Sequence, residues 1–412
     1  MLDLLGRPRF LPHELVAGEA DDAEAAVRVR LLQPLETFVL RGQAALGSHV
    51  HEQQRRAGVV AELGVRALEG VDRDVVESRV RDPTGPPART RRSPYPATVH
   101  AVVIRDGKLL WEEREDPVPG DTELLVSVVA AGLNSADLVQ RAGLYPAPPG
   151  WPPDIPGMEM AGEVVEVGRS VTLFSPGDRV MAVVGGGAQA TMAYVDEDHA
   201  LEVPGSMPWT EAGGFPEAFS TAYDALFTQA GLQMGERVLV SGAAGGVGTA
   251  GVQLALEAGA HVTATVRDPE RRKDVAALGA HAVIPPGEEA ESGPYDVVLE
   301  LVGQASLVHV LPNLAPWSRV VVIGVGSGAH IEVDLMLLMT KRARIGGSTL
   351  RSRSRREKAD VAAAMTAHVL PALAAGLLSV PISATFPLPD AEAAYDHFAR
   401  SGKFGKVVLL TD

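Results

Sequence analysis

The run Val238-Leu-Val-Ser-Gly-Ala-Ala-Gly-Gly-Val-Gly248 carries the sharpest chemical signal in the chain. An apolar stretch leads into a glycine-rich turn, and a helical stretch, Thr249–Gly259, follows. Counted back from Gly248 the spacing is Ala243-x-Gly245-x-x-Gly248, the alanine variant of a dinucleotide fingerprint. Glycine lets backbone approach a pyrophosphate closely. The following helix N-terminus offers unpaired N–H groups and positive dipole density, and Gly248 lets helix and strand pack tightly. Ala244, Gly245, Gly246, Val247 and Gly248 are therefore candidate cofactor-binding residues. A ligand-free strand–helix turn is the alternative, and the setting between an apolar strand and a helix favours the nucleotide.

The end of the next strand selects the nucleotide. A site for NAD places Asp or Glu about 20 residues on, to hold the ribose 2′-hydroxyl. Here that neighbourhood reads Thr265-Val-Arg-Asp268. Val266 stands where the acid belongs, Arg267 follows it, and Arg271 lies one helical turn further on. A missing carboxylate with guanidinium groups at hand suits a 2′-phosphate, so NADPH is expected in preference to NADH. Asp268 is a counter-signal: it can pair with Arg267 or accept the ribose hydroxyl of NADH.

The elements around this loop fall into two textures. From Val99 to about Phe219 the chain has short strand runs with Gly/Pro punctuation, including His100–Ile104, Leu109–Trp111, Leu124–Ala131, Glu163–Gly168 and Asp178–Val184. Asp106-Gly107 is a hairpin signal between the first two. Such a pattern predicts a compact, barrel-like β domain. Beyond Phe219, apolar strands (Arg237–Ser241, His261–Val266, Ala282–Ile284, Asp296–Glu300, Arg319–Gly324) alternate with helical segments such as Pro269–Gly279, which predicts a doubly wound parallel sheet. One long helix over Arg355–Gly376 and strands at Pro381–Pro387 and Gly405–Leu410 complete the chain.

Composition removes several function classes. With no cysteine among 412 residues there is no disulfide scaffold, thiol nucleophile or Cys-ligated metal. A net charge of −15 argues against a nucleic-acid surface. No apolar run approaches the roughly 18–20 residues of a membrane span, and the first residues lack a secretion signal, so a cytoplasmic protein is expected. The histidines, among them His199, His261 and His281, lack metal-ligand spacing. Residues 1–98 hold 14 Arg, 14 acidic residues and no Lys. With the Pro-rich run 83–96, this predicts a poorly structured extension, dispensable for activity; a separate folded domain is the alternative.

Further motifs complete the pattern: Gly132-Leu-Asn-Ser-Ala-Asp137, Arg141-Ala-Gly-Leu-Tyr-Pro146, Ile155-Pro-Gly-Met-Glu-Met-Ala-Gly-Glu-Val-Val-Glu-Val-Gly168, Phe174–Val180, Gly347-Ser-Thr-Leu-Arg351 and Gly405-Lys-Val-Val-Leu409. Together with the glycine loop, and in this order, they make 99–412 resemble the medium-chain dehydrogenase/reductase superfamily. Within it the chain is similar to the zinc-independent NAD(P)H:quinone oxidoreductase branch that includes zeta-crystallin.

The resemblance implies an α/β architecture: a GroES-like β-rich catalytic domain (99–217 and 347–412) around a Rossmann domain (218–346). It makes Asn134 the active-site Asn and Tyr145 a residue of the substrate cleft. It places Thr221 near the nicotinamide, and Asn134, Gly324 and Lys406 among the cofactor-binding residues. Asn134 as a turn residue, Tyr145 as packing and Thr221 as a helix-start hydroxyl are the plainer alternatives. Zinc-dependent relatives have Cys where Asn134 stands and His where Met158 stands, so no zinc is expected. Without zinc to polarise a poor hydride acceptor, the substrate should be activated by conjugation, a quinone or an enone. Ala188-Gln189 and Pro285-Pro286 replace tyrosines common in the family, which bears on substrate shape and adenine contact. A homodimer through the last Rossmann strand is implied, with Ile331–Met339 as a candidate seam or, alternatively, a core segment. Quinone reduction is the leading expectation. Reduction of enones or 2-alkenals is its rival, and a catalytically idle nucleotide-binding, crystallin-like protein is the rival of another class.

Overall fold

The computed structural model describes residues 98–411 apart from Ser206. All of the expected N-terminal extension except Thr98 lies outside the described residues.

The first half builds an antiparallel hairpin and most of a larger sheet, antiparallel except for one parallel pair contributed by the end of the chain. Strands β1 (Val99–Arg105) and β2 (Lys108–Arg114) form a hairpin closed by Asp106 and Gly107, both at positive φ, as the Asp-Gly pair predicts. The larger sheet has seven strands: β3 (Glu123–Gly132), β4 (Glu159–Val167), β5 (Arg179–Val183), β6 (Met192–Asp196), β7 (Ala200–Glu202), and, from the far end of the chain, β14 (Ile382–Pro387) and β15 (Lys406–Leu410). β3 pairs with β4 along one edge. Its other edge is shared by β6 at Glu123–Ser127 and β15 at Ala130–Gly132. Leu124, Val126, Val128, Met160, Val164, Val180 and Val195 pack together inside this sheet.

The second half is a six-stranded parallel sheet, in the order β10 (Ala282–Ile284), β9 (His261–Thr265), β8 (Arg237–Val240), β11 (Tyr295–Glu300), β12 (Leu314–Val322), β13 (Arg344–Gly347). β8, β9 and β11 are buried along nearly their whole length, the burial that continuous apolar runs foretell. Because these strands are parallel, the segments that follow β8, β9, β11 and β12 emerge at one edge. The glycine loop, Val266-Arg267, Glu300–Gly303 and Gly324 therefore share that edge.

One expectation is corrected. The helix read over Arg355–Gly376 is two: Arg355–His368, opened by a Ser354–Glu357 capping box, and Leu370–Ala374. Pro371 separates them, since it has no N–H to donate to the preceding turn and its ring crowds that turn's carbonyl. Three short strands, β6, β7 and β13, also lie outside the sequence reading.

Helix Pro216–Tyr223 joins the halves. Its Phe219 and Ala222 share a core with Ala161 and Met181 of the first sheet, with Val238 and Val240 of the second, and with Ala250 of the helix Gly246–Glu257.

Candidate active site

Two glycines set the site's close approaches. A Cβ at Gly248 would lie 2.6 Å from the Cα of Ala243, so only glycine lets the Gly246–Glu257 helix start against the end of β8. A Cβ at Gly132, the last residue of β3, would lie 2.4 Å from Oε1 of Glu159 and 2.6 Å from the carbonyl of Gly213.

The glycine loop is stitched to the other sheet. Gly405 N–H donates to the carbonyl of Ala244 at 2.9 Å, and Gly245 bridges to Gly405. The next residue, Lys406, then runs along Gly246, where a Cβ would lie 2.5 Å from the lysine Cδ. Its ammonium ends in a buried polar node. Lys406 Nζ donates to Glu159 Oε1 (2.5 Å), Asn134 Oδ1 (2.7 Å) and the Leu133 carbonyl (2.8 Å). Asn134 Nδ2 donates to the same Glu159 oxygen at 2.9 Å, and Glu217 N–H donates to Glu159 Oε2 at 2.8 Å. Glu159 is wholly buried, and Lys406 and Asn134 are 3% and 9% exposed. These partners fix the Asn134 amide: its oxygen faces the ammonium, one N–H is spent on Glu159, and the second N–H is left to donate.

The backbone beneath Asn134 is held by Asp137, whose carboxylate accepts the N–H of Asn134 (2.8 Å) and of Gly157 (3.2 Å). Burial pushes Asp137 up to about 6, against the pull of these donors and of Lys406 and Arg351. Asn134 thus precedes the Ser135–Arg141 helix as a cap residue, but its side chain serves the node.

A second cluster adjoins the first. Thr221 Oγ1 donates to Glu217 Oε1 at 3.2 Å, so the threonine meets the node through Glu217. Burial, reinforced by the charge of Glu159, pushes the Glu217 carboxyl up to about 7. Arg351, 3% exposed, donates to the carbonyls of Gly185 (2.7 Å) and Tyr145 (3.2 Å) and to Gln140 Oε1 (2.6 Å). Its guanidinium lies 5.1 Å from the Tyr145 ring centroid. Burial raises the Tyr145 phenol, opposed by Arg351 and aided by Glu217. Burial also lowers half-buried Lys358, with Glu217 and Arg351 as its charged neighbours.

At the end of β9, Arg267 is exposed beside Val266. Asp268 caps the Pro269–Ala277 helix, accepting Glu270 N–H at 3.0 Å. Arg271 is engaged elsewhere, with Asp274 at 2.9 Å and the Gly402 carbonyl at 2.8 Å. Arg272 donates to the Val266 carbonyl at 3.1 Å, and Lys403 is close enough to Arg267 for its charge to lower the lysine, after burial. Gly324 donates to the Glu300 carbonyl at 3.1 Å, and a Cβ there would strike the Leu301 carbonyl. Glu300 in turn takes Ser241 Oγ at 2.7 Å, tying Gly324 to the strand that feeds the glycine loop.

The structure therefore brings Asn134, Lys406, Thr221 and the glycine loop together, with Tyr145 joined through Arg351. Arg267 and Arg271 sit apart, at the end of β9. Sequence reading missed Glu159, Glu217, Arg351, Arg272 and Lys403 as site residues. Glu159 and Arg351 lie within the sequence motifs that carry the family resemblance, so position was available there, but role was not.

Comparison with known proteins matches this geometry. Residues 120–228 match the alcohol dehydrogenase GroES-like domain family, and 246–367 the zinc-binding dehydrogenase family. A quinone oxidoreductase of Lama guanicoe is 34% identical over 309 residues, covering 71% of this chain and 90% of that protein. The chain belongs to the quinone oxidoreductase family of the medium-chain dehydrogenase/reductase superfamily. It is an oxidoreductase, with a GroES-like domain and a Rossmann-like domain. The human quinone oxidoreductase is 32% identical over 309 residues, with 71% and 91% covered. Among solved structures, a Pseudomonas syringae pv. tomato quinone oxidoreductase superposes with TM-score 0.68 at 29% identity, covering 76% of this chain and 99% of that one. A cobalt- and zinc-bound Pyrobaculum aerophilum alcohol dehydrogenase gives 0.66 at 28%, with 76% and 99% covered.

This family membership implies a nicotinamide cofactor, and the residues fit one. The Gly246–Glu257 helix starts at the end of β8, so its first backbone N–H groups, which have no partner within the helix, are placed to take a pyrophosphate. Zinc fits poorly. An ammonium already occupies the Glu159 and Asn134 oxygens, and among the described residues no three His, Cys, Asp or Glu side chains are grouped to hold a metal. Among the described residues no helix is long and apolar enough to cross a membrane.

Proposed function

We propose that the protein is a zinc-independent, NADPH-dependent reductase of conjugated carbonyl compounds, quinones first. When bound, the cofactor supplies a hydride. The reading rests on one observation above all, the buried Lys406–Glu159–Asn134 node lying directly against Gly246 of the glycine loop. The node holds an amide N–H and a nearby ammonium where a metal would otherwise polarise the acceptor. A pre-oriented N–H aimed at a developing oxyanion stabilises it without reorganisation. Such modest polarisation suits an acceptor that conjugation has already activated. Tyr145, steadied by Arg351, would line the acceptor's side, and Thr221 the nicotinamide's.

The 2′-phosphate would be read by Arg267, with Arg272 and Lys403 adding positive potential. The absence of an acid at Val266 and the engagement of Asp268 as a helix cap both favour this. We assign 99–217 with 347–412 to the catalytic domain and 218–346 to the cofactor domain. A homodimer through the edge strand β13 is supported by the neighbouring helix Leu335–Lys341, where Leu335, Met336 and Met339 are 69%, 61% and 68% exposed.

The test is NADPH oxidation against benzoquinones, enones, 2-alkenals and saturated ketones. Turnover with the conjugated acceptors alone supports the reading, and the ratio of quinone to alkenal rates separates it from its nearest rival. Tight NADPH binding with no turnover on any acceptor would instead indicate an idle binder.

A further inference from the structure

Adding hydride to a conjugated carbonyl leaves a negative charge that needs a proton, and neither Asn134 nor Lys406 is free to give one. The Asn134 amide is not an acid, and Lys406 is bound to three oxygens. Glu217 is differently placed. It sits in the first turn of helix Pro216–Tyr223 with its backbone N–H on Glu159, so its carboxyl is anchored beside the node without being part of it. Thr221 is the one hydrogen-bond partner of that carboxyl among the described residues, on Oε1, which leaves Oε2 available. The residue keeps some exposure to solvent, while its carboxyl is buried beside the node.

Resting on the functional reading above, we propose that Glu217 is the catalytic acid: its carboxyl O–H gives a proton to the acceptor's carbonyl oxygen as hydride arrives at the other end of the conjugated system. The Glu217 O–H bond breaks and its electron pair stays on the carboxylate. A new O–H bond forms on the acceptor. The acceptor gains two electrons and two hydrogens, the reduced nicotinamide is oxidised, and water restores the Glu217 proton. A quinone leaves as hydroquinone and an enone as its enol.

The charged surroundings suit this duty. Burial disfavours a further carboxylate here, and the charges of Glu159 and Asp137 add to it. Lys406 and the Thr221 hydrogen bond favour the carboxylate, which keeps the group near neutrality, at about 7. Tyr145, Arg351 and Lys358 face the same carboxyl from the substrate side, so a negative acceptor oxygen would meet both acid and cations.

The experiment compares wild type, Glu217→Gln and Glu217→Asp. Wild-type kcat/KM should be flat at low pH and fall tenfold per unit above about 7. Glu217→Gln should lose about 100-fold or more and lose that limb, with its NADPH dissociation constant unchanged. Glu217→Asp should keep the limb on a lower plateau. Independently of turnover, infrared or 13C spectra of the wild type should show a carboxyl titrating near pH 7 that Glu217→Gln removes and Glu217→Asp displaces. Wild-type turnover with an unaltered rate and pH profile in Glu217→Gln would overturn the assignment alone, as would a wild-type spectrum without that carboxyl. No wild-type turnover on any conjugated acceptor would overturn the functional reading and this assignment with it.

Discussion

Replacing Lys406 with methionine removes the one cation of the buried node while keeping the stem that packs along Gly246. Glu159 would keep its Asn134 and Glu217 donors but lose its counter-charge in a site with no solvent exposure. Breaking a buried pair by deleting one partner costs about 3–5 kcal/mol, because the remaining charge is stranded. At about 2–4 °C per kcal/mol, Tm should fall by roughly 6–20 °C. The double variant Lys406→Met/Glu159→Gln removes both charges and retains an acceptor for Asn134 or Glu217. It should recover about 1–3 kcal/mol relative to the single variant. Urea unfolding of the wild type, both single variants and the double variant gives the coupling directly. Strict additivity, or a Lys406→Met protein as stable as the wild type, would refute the claim that this pair holds Asn134. In the same variant kcat should drop while NADPH affinity changes little, since the released amide can rotate and the glycine loop stays intact.

Arg267→Ala should weaken NADPH by roughly 10- to 150-fold, the low end being expected for an exposed guanidinium, and leave NADH nearly untouched. Dissociation constants for both nucleotides check it, and Arg271→Ala should have the smaller effect because Asp274 and Gly402 already engage that side chain. Gly248→Ala, with its Cβ 2.6 Å from Ala243, should cost about 1–3 kcal/mol of stability and abolish tight nucleotide binding, read by unfolding and by fluorescence titration. Prolonged chelation should leave turnover unchanged. Stoichiometric zinc lost together with activity would show that the Lys406 node had been misread.

The parallel sheet was legible because its strands are buried on both faces and so are written as unbroken apolar runs, as in Val238–Val240 and Val297–Leu299. β13 escaped because Arg344-Ile-Gly-Gly347 offers a single apolar side chain; it exists by pairing with β12, not by its own pattern. β7, at three residues, is too short to show a period. Pro371 was visible, but a proline near a helix end can either stop a helix or open a new one, and here a second turn starts on it. In the site, motif position pointed to Asn134 and Lys406 but not to their bond, which joins residues 272 apart in sequence. Glu217 and Glu159 look like ordinary surface acids in the sequence. Only burial against one another and against Lys406 gives them chemistry, and burial is a tertiary property.

The most direct test of the central claim follows hydride from cofactor to acceptor. Metal-stripped full-length protein would be mixed with NADPH deuterated at C4, separately on each face, and with a quinone or an enone, and nucleotide oxidation followed by stopped flow with mass analysis of the enone product. The account predicts oxidation that requires the conjugated acceptor, a primary isotope effect for one face alone, and deuterium carried into the reduced enone. Oxidation without such an isotope effect, or activity that returns only when zinc is added back, would contradict it.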